Sequence, residues 1–179
     1  NTITIDTNPN SSPDSPPTNG ENILKEGFNQ WASTLNQIGV TINYSTTNPD
    51  VKVRWVNSFS NPNVLGTASP DKYINMRNDL DSSYGSGTTK STAVHEFGHM
   101  LGIWTHSFNS KDIMYPYATS VTELSERDKK TLSEFLYSMT PDYDMHDLSG
   151  PSLIHPETGI EIPHFHTSYT TSGCFVITG

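Results

Sequence analysis

The residues with the clearest chemical potential lie in one string, HEFGH, which runs from His95 to His99 and has the pattern H-E-x-x-H. Residues four positions apart share one face of a helix, so both imidazoles can reach a single zinc ion while Glu96 lies beside them. Zinc lowers the pKa of a bound water towards about 7, and a nearby carboxylate can take its proton as the oxygen attacks a carbonyl. The string therefore predicts one catalytic Zn²⁺ and metal-assisted hydrolysis.

Residues after this string could complete the metal site. Gly102 permits a sharp change of direction three residues after His99, so His106 can return to the same ion as a third ligand. The alternative is that His106 is an ordinary loop histidine and that another group supplies the third ligand. Met114, in the string DIMYP, lies in a predicted turn and is suited to packing beneath the three imidazoles.

These motifs resemble those of the metzincin zinc peptidases, and of the matrixin (matrix-metalloproteinase-like) branch in particular. The matching strings are HEFGHMLGIWTHS, DIMYP and LSERDKKTLSEFLY, and a coarser similarity extends over 22–138. The resemblance implies a secreted or extracellular endopeptidase that cleaves extended protein segments. Its general base would be Glu96. Its zinc ligands would be His95, His99 and His106, with Met114 forming the Met-turn.

The sequence departs from the matrixin pattern at four places. His106 lies four residues beyond Gly102 instead of three, which we interpret as a one-residue insertion in the turn. No histidine precedes His95, so a second, structural zinc cannot have its usual ligands. The cysteine motif of the matrixin prodomain does not occur, which suggests a mature form or another kind of control. The pocket wall, often Pro-x-Tyr in the family, here reads Pro-Tyr-Ala from Pro116.

Substrate contacts are predicted at two places. The strand at 64–68 resembles the family's edge strand, which would bind an extended peptide by β-augmentation. Such pairing uses backbone donors and acceptors more than particular side chains. The residues expected to contact substrate are Gly66, Thr67 and Ala68 in this strand, and Pro116 and Tyr117 in the pocket wall.

Period-two alternation predicts the strands of the sheet that must support this site. Strands are expected at 2–5, 40–44 and 51–56, with two further extended pieces within 63–76. The stretch 79–87 is rich in Ser, Gly and Asp, which predicts a loop that leads into the next helix.

Helical spacing of apolar residues predicts three helices. The first begins at Ile23 and is stopped by Gly39, and the second carries the H-E-x-x-H string and ends at Leu101. The third begins near Ser125, with Asp128 at capping-box spacing, and ends near 138. We therefore expect an α+β, metzincin-like fold with a mixed, mostly parallel twisted sheet, an active-site helix and a C-terminal helix.

Length and charge narrow the function classes. The chain has 179 residues with 10 Lys+Arg and 19 Asp+Glu, a formal net charge of −9. Because basic clusters are absent from the sequence, we expect no nucleic-acid partner, and no apolar run is long enough for membrane insertion. The expected organisation is a catalytic domain over 1–138 and an extension of unknown role over 139–179. A monomer acting on a protein or peptide substrate is predicted.

The extension carries residues that could bind metal. His164 and His166 would share a strand face and allow a second metal site, although exposed or satisfied histidines are commoner. Cys174 could reach the zinc as an inhibitory thiolate, with an idle thiol as the alternative. We expect loops and short extended pieces here, without a sustained period.

Two alternatives concern cofactor and function. Ca²⁺ could bind at Asp71, Asp79 and Asp81, although these residues lack a calcium-loop signature and are also typical of a solvated surface. The alternative function is a non-catalytic or latent zinc-binding module in which the C-terminal tail occupies the cleft. The presence of Glu96 argues against a binding-only site, which has no need of a general base.

Overall fold

A computed structural model of the chain describes residues 1–136 and three short strands at 153–154, 161–162 and 172–175. No helix within these residues is long and apolar enough to cross a membrane.

A six-stranded mixed sheet is the main layer, with the strand order β2-β1-β3-β5-β4-β8. The pairs β1–β2, β1–β3 and β3–β5 are parallel, whereas β4 is antiparallel to both of its neighbours. The strands of this sheet are β1 (Thr2–Asp6), β2 (Thr41–Tyr44), β3 (Val51–Val56), β4 (Val64–Ser69), β5 (Tyr73–Arg77) and β8 (Ser172–Phe175). Two further strands, β6 (Leu153–Ile154) and β7 (Glu161–Ile162), pair with each other. The mixed, mostly parallel sheet of the expected α+β fold is therefore confirmed.

The helices are α1 (Gly20–Asn29), α2 (Ala32–Gln37), α3 (Leu80–Tyr84), α4 (Thr88–Met100) and α5 (Glu126–Lys130), and a π-helical segment (Thr131–Leu136) follows α5. Helices α1 and α4 pack against each other through Phe28 and Phe97, whose ring centroids lie 4.7 Å apart. Strand β3 turns alternate residues towards the core, and both Val53 and Trp55 are fully buried. This core holds α4, the helix with the H-E-x-x-H string, in a fixed position on the sheet.

The prediction of one continuous helix from Ile23 to the stop at Gly39 is wrong, because the segment contains two helices, α1 and α2. The backbone between α1 and α2 keeps right-handed helical dihedral angles, but the N–H groups of Gln30 and Trp31 donate to carbonyls three residues back instead of four. Trp31 is fully buried, and its indole Nε1–H donates to the carbonyl of Val94 at 3.0 Å. The neighbouring Gln30 side chain binds the backbone of Thr122 and Leu124. These tertiary contacts coincide with the tighter turn that divides the predicted helix into two.

The predicted loop at 79–87 contains the short helix α3. Leu80 is fully buried and anchors this helix, while Asp79 accepts a hydrogen bond from the Ser83 hydroxyl at 2.7 Å. One buried apolar residue in a polar stretch is too weak a periodic signal to predict a helix from sequence.

The expectation that 64–68 is an edge strand is also wrong. Strand β4 has β5 on one side and β8 on the other, and its Thr67 is in register with Asn75 and with Gly173. An exposed edge strand presents unpaired backbone N–H and C=O groups. In β4 the groups on that edge pair with β8, a strand from the C-terminal part of the chain.

Candidate metal centre

Helix α4 carries the two histidines and the glutamate of the H-E-x-x-H string on buried faces. The exposed fraction is 1% for His95 and 0% for both Glu96 and His99. The Nε2 atoms of the two histidines lie 3.0 Å apart, as residues one helical turn apart can.

The end of α4 directs the third histidine to the other two. The N–H of Ile103 donates to the carbonyl of Gly98, and that of Gly102 donates to His99, which together form a Schellman motif. Gly102 has φ 103°, in the left-handed region that this motif requires at that position. The chain therefore turns back, and the His106 ring centroid lies 5.2 Å from that of His95 and 4.9 Å from that of His99.

These three imidazoles form a group that could hold a metal ion. One ligand atom of each imidazole lies within 4.8 Å of the ligand atoms of the other two. Among the described residues, no other group of three or more His, Cys, Asp or Glu side chains is brought together in this way. The structure thus brings together the three histidines that the sequence analysis named, in spite of the extra residue in the turn. The Trp104 ring, within that turn, stacks on His99 with the ring planes 12° apart.

Backbone carbonyls orient two of the imidazoles. The Nδ1 atoms of His95 and His99 lie 2.7 Å and 2.6 Å from the carbonyl oxygens of Ile113 and Ile103. Because a carbonyl can only accept a hydrogen bond, each Nδ1 carries the proton and each Nε2 has a free lone pair. Burial lowers the pKa of His95 to about 3 and, aided by the neighbouring histidines, lowers the pKa of His99 well below its usual range.

This arrangement fits a zinc ion. Two neutral imidazoles with Nδ1–H both engaged direct two Nε2 lone pairs at each other across 3.0 Å, which is unfavourable unless a cation lies between them. Three imidazole donors with a fourth position left for water or substrate are the ligand set of catalytic zinc sites. The carbonyl partners on Nδ1 are typical of metal-binding histidines.

Strand β4 lies directly beside Glu96. A Cβ atom added to Gly66 would come within 3.1 Å of the Glu96 Oε1 atom and 2.7 Å of the Thr92 side chain. A residue with a side chain at position 66 would therefore displace the glutamate or the strand. Thr67 and Ala68 follow on the same strand, so all three predicted strand contacts lie in the part of β4 next to the candidate base.

Met114 lies in the turn beneath the histidines, where it is 3% exposed. A Cβ atom added to Gly98, within the H-E-x-x-H string, would collide with the Met114 sulfur. Gly98 occupies a variable position of the H-E-x-x-H pattern, so the pattern predicts no role for it. The sequence does offer one indication of a role: glycine inside a helix is about 1 kcal/mol less favourable than alanine, so its presence there requires a reason.

Asp128 joins the closing helix to the turn that carries Met114. Its carboxylate accepts hydrogen bonds from the backbone N–H groups of Ile113 at 2.9 Å and Met114 at 3.3 Å. It also accepts from Ser125 N–H at 2.9 Å, completing the capping box that its spacing predicted. The carbonyl of Ile113 and the N–H of Met114 form one peptide group, which accepts from His95 at one end and donates to Asp128 at the other. The sequence predicted the cap but not this second contact.

Replacing Asp128 by Asn is expected to weaken zinc binding about 10- to 100-fold, the usual effect of changing an outer partner of a metal ligand. The amide NH₂ cannot accept a hydrogen bond, so the variant loses a contact to the N–H of Ile113 or of Met114, and the turn whose carbonyl orients His95 shifts. Zinc affinity is measured by competition with a chromogenic chelator. The matched control is Glu126→Gln on the same helix, where the carboxylate is 80% exposed. Equal zinc affinity in both variants would contradict a positioning role for Asp128.

The predicted pocket-wall residues do not line the cavity beside the third histidine. Tyr117 is 42% exposed, and its ring centroid lies 5.8 Å from that of Tyr115. That cavity is lined by His106, Met114 and Arg127 among others, and neither Pro116 nor Tyr117 belongs to its lining. Substrate contacts by Pro116 and Tyr117 stay a prediction.

The other candidate metal residues are separate from this centre. Asp79 forms an ion pair with Arg77, Asp81 accepts from the Thr89 N–H at 2.7 Å, and Asp71 binds Ser69. Calcium binding at these carboxylates stays a prediction. His164 and His166 lie outside the described residues, and Cys174 belongs to β8.

Comparison with known proteins gives one family match. The family model described as Matrixin matches residues 1–138. Among solved structures, the GM1-bound form of the ECX AB5 holotoxin is 17% identical, with a TM-score of 0.37 over 56% of this chain. The chain spans about half of that chain's length, 51%. Myroilysin is 18% identical, with a TM-score of 0.39, 99% of this chain covered and 87% of that chain. No curated protein matches this sequence.

Proposed function

The chain belongs to the matrixin family, and from that premise we propose that it is a zinc-dependent endopeptidase that hydrolyses peptide bonds in extended protein segments. The observation that carries the proposal is the convergence of three imidazoles beside a fully buried glutamate. The matrixin match and this histidine triad together support a metallopeptidase. Extracellular action by a monomer is proposed with it, on the family relationship alone.

The histidines would hold the ion through their Nε2 atoms. His95 and His99 are fixed by carbonyls behind them, so their ligand atoms need little reorganisation on metal binding. When bound, zinc supplies Lewis acidity, which polarises a substrate carbonyl and makes a water more acidic. Met114 packs beneath the triad and, with Asp128, limits movement of the turn behind His95.

Glu96 would be the general base and then the general acid. Its carboxylate accepts a proton from the attacking water and later donates it to the leaving amine nitrogen. Gly66 lets β4 approach this carboxylate closely, so a peptide backbone paired with β4 would pass beside the base. The pairing would use the backbone at Gly66, Thr67 and Ala68, which would make the enzyme tolerant of sequence at those subsites.

One observation favours a second candidate, a latent or non-catalytic zinc-binding module. Strand β8 covers the side of β4 that a substrate would need. The retained Glu96 favours latency over a binding-only role, because a module without catalysis does not need a base.

The proposed activity is tested with the purified full chain and a library of quenched fluorescent peptides. We expect one zinc per chain, cleavage that a strong zinc chelator abolishes, and recovery of cleavage when zinc is returned. Zinc content is measured on the same sample. Cleavage that persists after complete removal of metal would contradict the proposed mechanism, and so would a chain that binds no zinc.

A further inference from the structure

Strand β8 lies on the part of β4 where a substrate would pair. It runs antiparallel to β4, with Cys174, Gly173 and Ser172 in register with Gly66, Thr67 and Ala68. We propose that residues 172–175 are an internal occupant of the peptide-binding edge, which keeps the enzyme latent until this strand is released. The proposal rests on the proposed function, because it describes control of the same site.

The other edge of β4 cannot take a substrate. It pairs with β5 over the same residues, with Gly66, Thr67 and Ala68 opposite Met76, Asn75 and Ile74. Each strand has only two hydrogen-bonding edges, so an incoming peptide must use the edge that β8 covers. Substrate and β8 would therefore compete for the same N–H and C=O groups.

The occupant also passes beside the candidate base. The residue of β8 in register with Gly66 is Cys174, and Gly66 is the β4 residue whose missing side chain leaves room for Glu96. Strand β8 contacts α4 as well as β4. Its backbone thus covers the strand at the point where a scissile peptide bond would have to approach the base.

The pairing has features of a strand that can be displaced. Strand β8 has four residues, and its register with β4 shifts between Val64 and Gly66, as at a β-bulge. A bulge leaves one residue unpaired and disrupts the ladder locally, so fewer hydrogen bonds hold the strand. An extended protein segment that forms a longer regular ladder could replace it.

A proline in β8 tests the proposal in the full-length chain. Gly173→Pro removes a backbone N–H and fixes φ, which weakens pairing opposite Thr67. The matched control is Gly179→Pro, which makes the same substitution outside the strand. We expect kcat/KM for peptide cleavage to rise at least about tenfold in Gly173→Pro, as expected from the loss of one backbone hydrogen bond with added strain, and not in the control.

Hydrogen exchange separates failure of this proposal from failure of the proposed function. Amides of β4 should exchange faster in Gly173→Pro than in the unmodified chain or the control. Unchanged exchange overturns the strand assignment, whatever the cleavage rates. Faster exchange with equal, chelator-sensitive cleavage in all three proteins overturns latency and leaves the peptidase intact. Faster exchange with no cleavage in any of them supports the strand assignment and overturns the peptidase.

A reversible cross-link tests the same contact without weakening it. The variant Thr67→Cys, Gly173→Cys, Cys174→Ser puts two thiols on paired residues, whose separation in a sheet suits a disulfide. We expect kcat/KM for peptide cleavage by the oxidised, cross-linked form to be at least about tenfold lower than kcat/KM after reduction with a phosphine. The control Thr67→Cys, Cys174→Ser should show no such dependence. Failure of the cross-link to form, or equal cleavage before and after reduction, overturns the proposal.

Discussion

Glu96→Gln is expected to lower kcat/KM for peptide cleavage by roughly 10²- to 10⁴-fold, the usual contribution of a general acid–base. Glutamine has nearly the same size, so it fills the fully buried site of Glu96 beside Gly66. Its amide cannot take a proton from water, so the step that needs a base is lost while the three histidines are untouched. Zinc content and the free energy of unfolding should change little in comparison.

The measurement is best made in the Gly173→Pro background, where the β4 edge is expected to be open. The matched control is Glu123→Gln. The Glu123 side chain is 70% exposed and forms an ion pair with Lys90, which lies on α4, the helix that carries Glu96. We expect that control to cleave peptides at the parent rate, because a surface ion pair contributes little. Full activity of the Glu96→Gln protein would refute the assigned role of the base.

His106→Ala is expected to weaken zinc binding by at least about a hundredfold, because losing a ligand should exceed the 10- to 100-fold effect of altering a ligand's outer partner. Two imidazoles from α4 would remain, held by the carbonyls of Ile103 and Ile113. Peptide cleavage should fall with zinc occupancy. Affinity is measured by chelator competition and occupancy by elemental analysis.

The matched control for this variant is Thr105→Ala, in the same turn and exposed to solvent. It tests whether any change in the turn, and not loss of the imidazole, alters metal binding. If His106→Ala bound zinc with unchanged stoichiometry and affinity, another residue would have to be the third ligand.

Local sequence information accounts for the parts of this site that depend on neighbours along the chain. The spacing of His95 and His99 needs only a helix, and Gly102 marks the end of that helix. The convergence of His106 follows once the turn is formed, and the extra residue before it is accommodated there. The strands at 51–56 and within 63–76 were likewise predictable from alternating apolar residues and from the turn residues that flank them.

Contacts between distant residues account for what the sequence did not reveal. The indole of Trp31, at the tighter turn between α1 and α2, donates to the carbonyl of Val94, and the second role of Asp128 depends on a turn fifteen residues earlier. The pairing of β8 with β4 joins residues about a hundred positions apart. Hydrophobic periodicity cannot predict such contacts, because it shows which side of a segment is buried and not which distant residue it contacts.

The hydrogen bond from the Met114 N–H to Asp128 has a consequence for how the protein is made. During synthesis, all three histidines leave the ribosome before Asp128 does. A nascent chain can therefore meet zinc while the peptide group behind His95 still lacks its carboxylate partner. Tight metal capture would then wait for the closing helix to dock, so that an incompletely translated chain would be less able to retain zinc than the finished one.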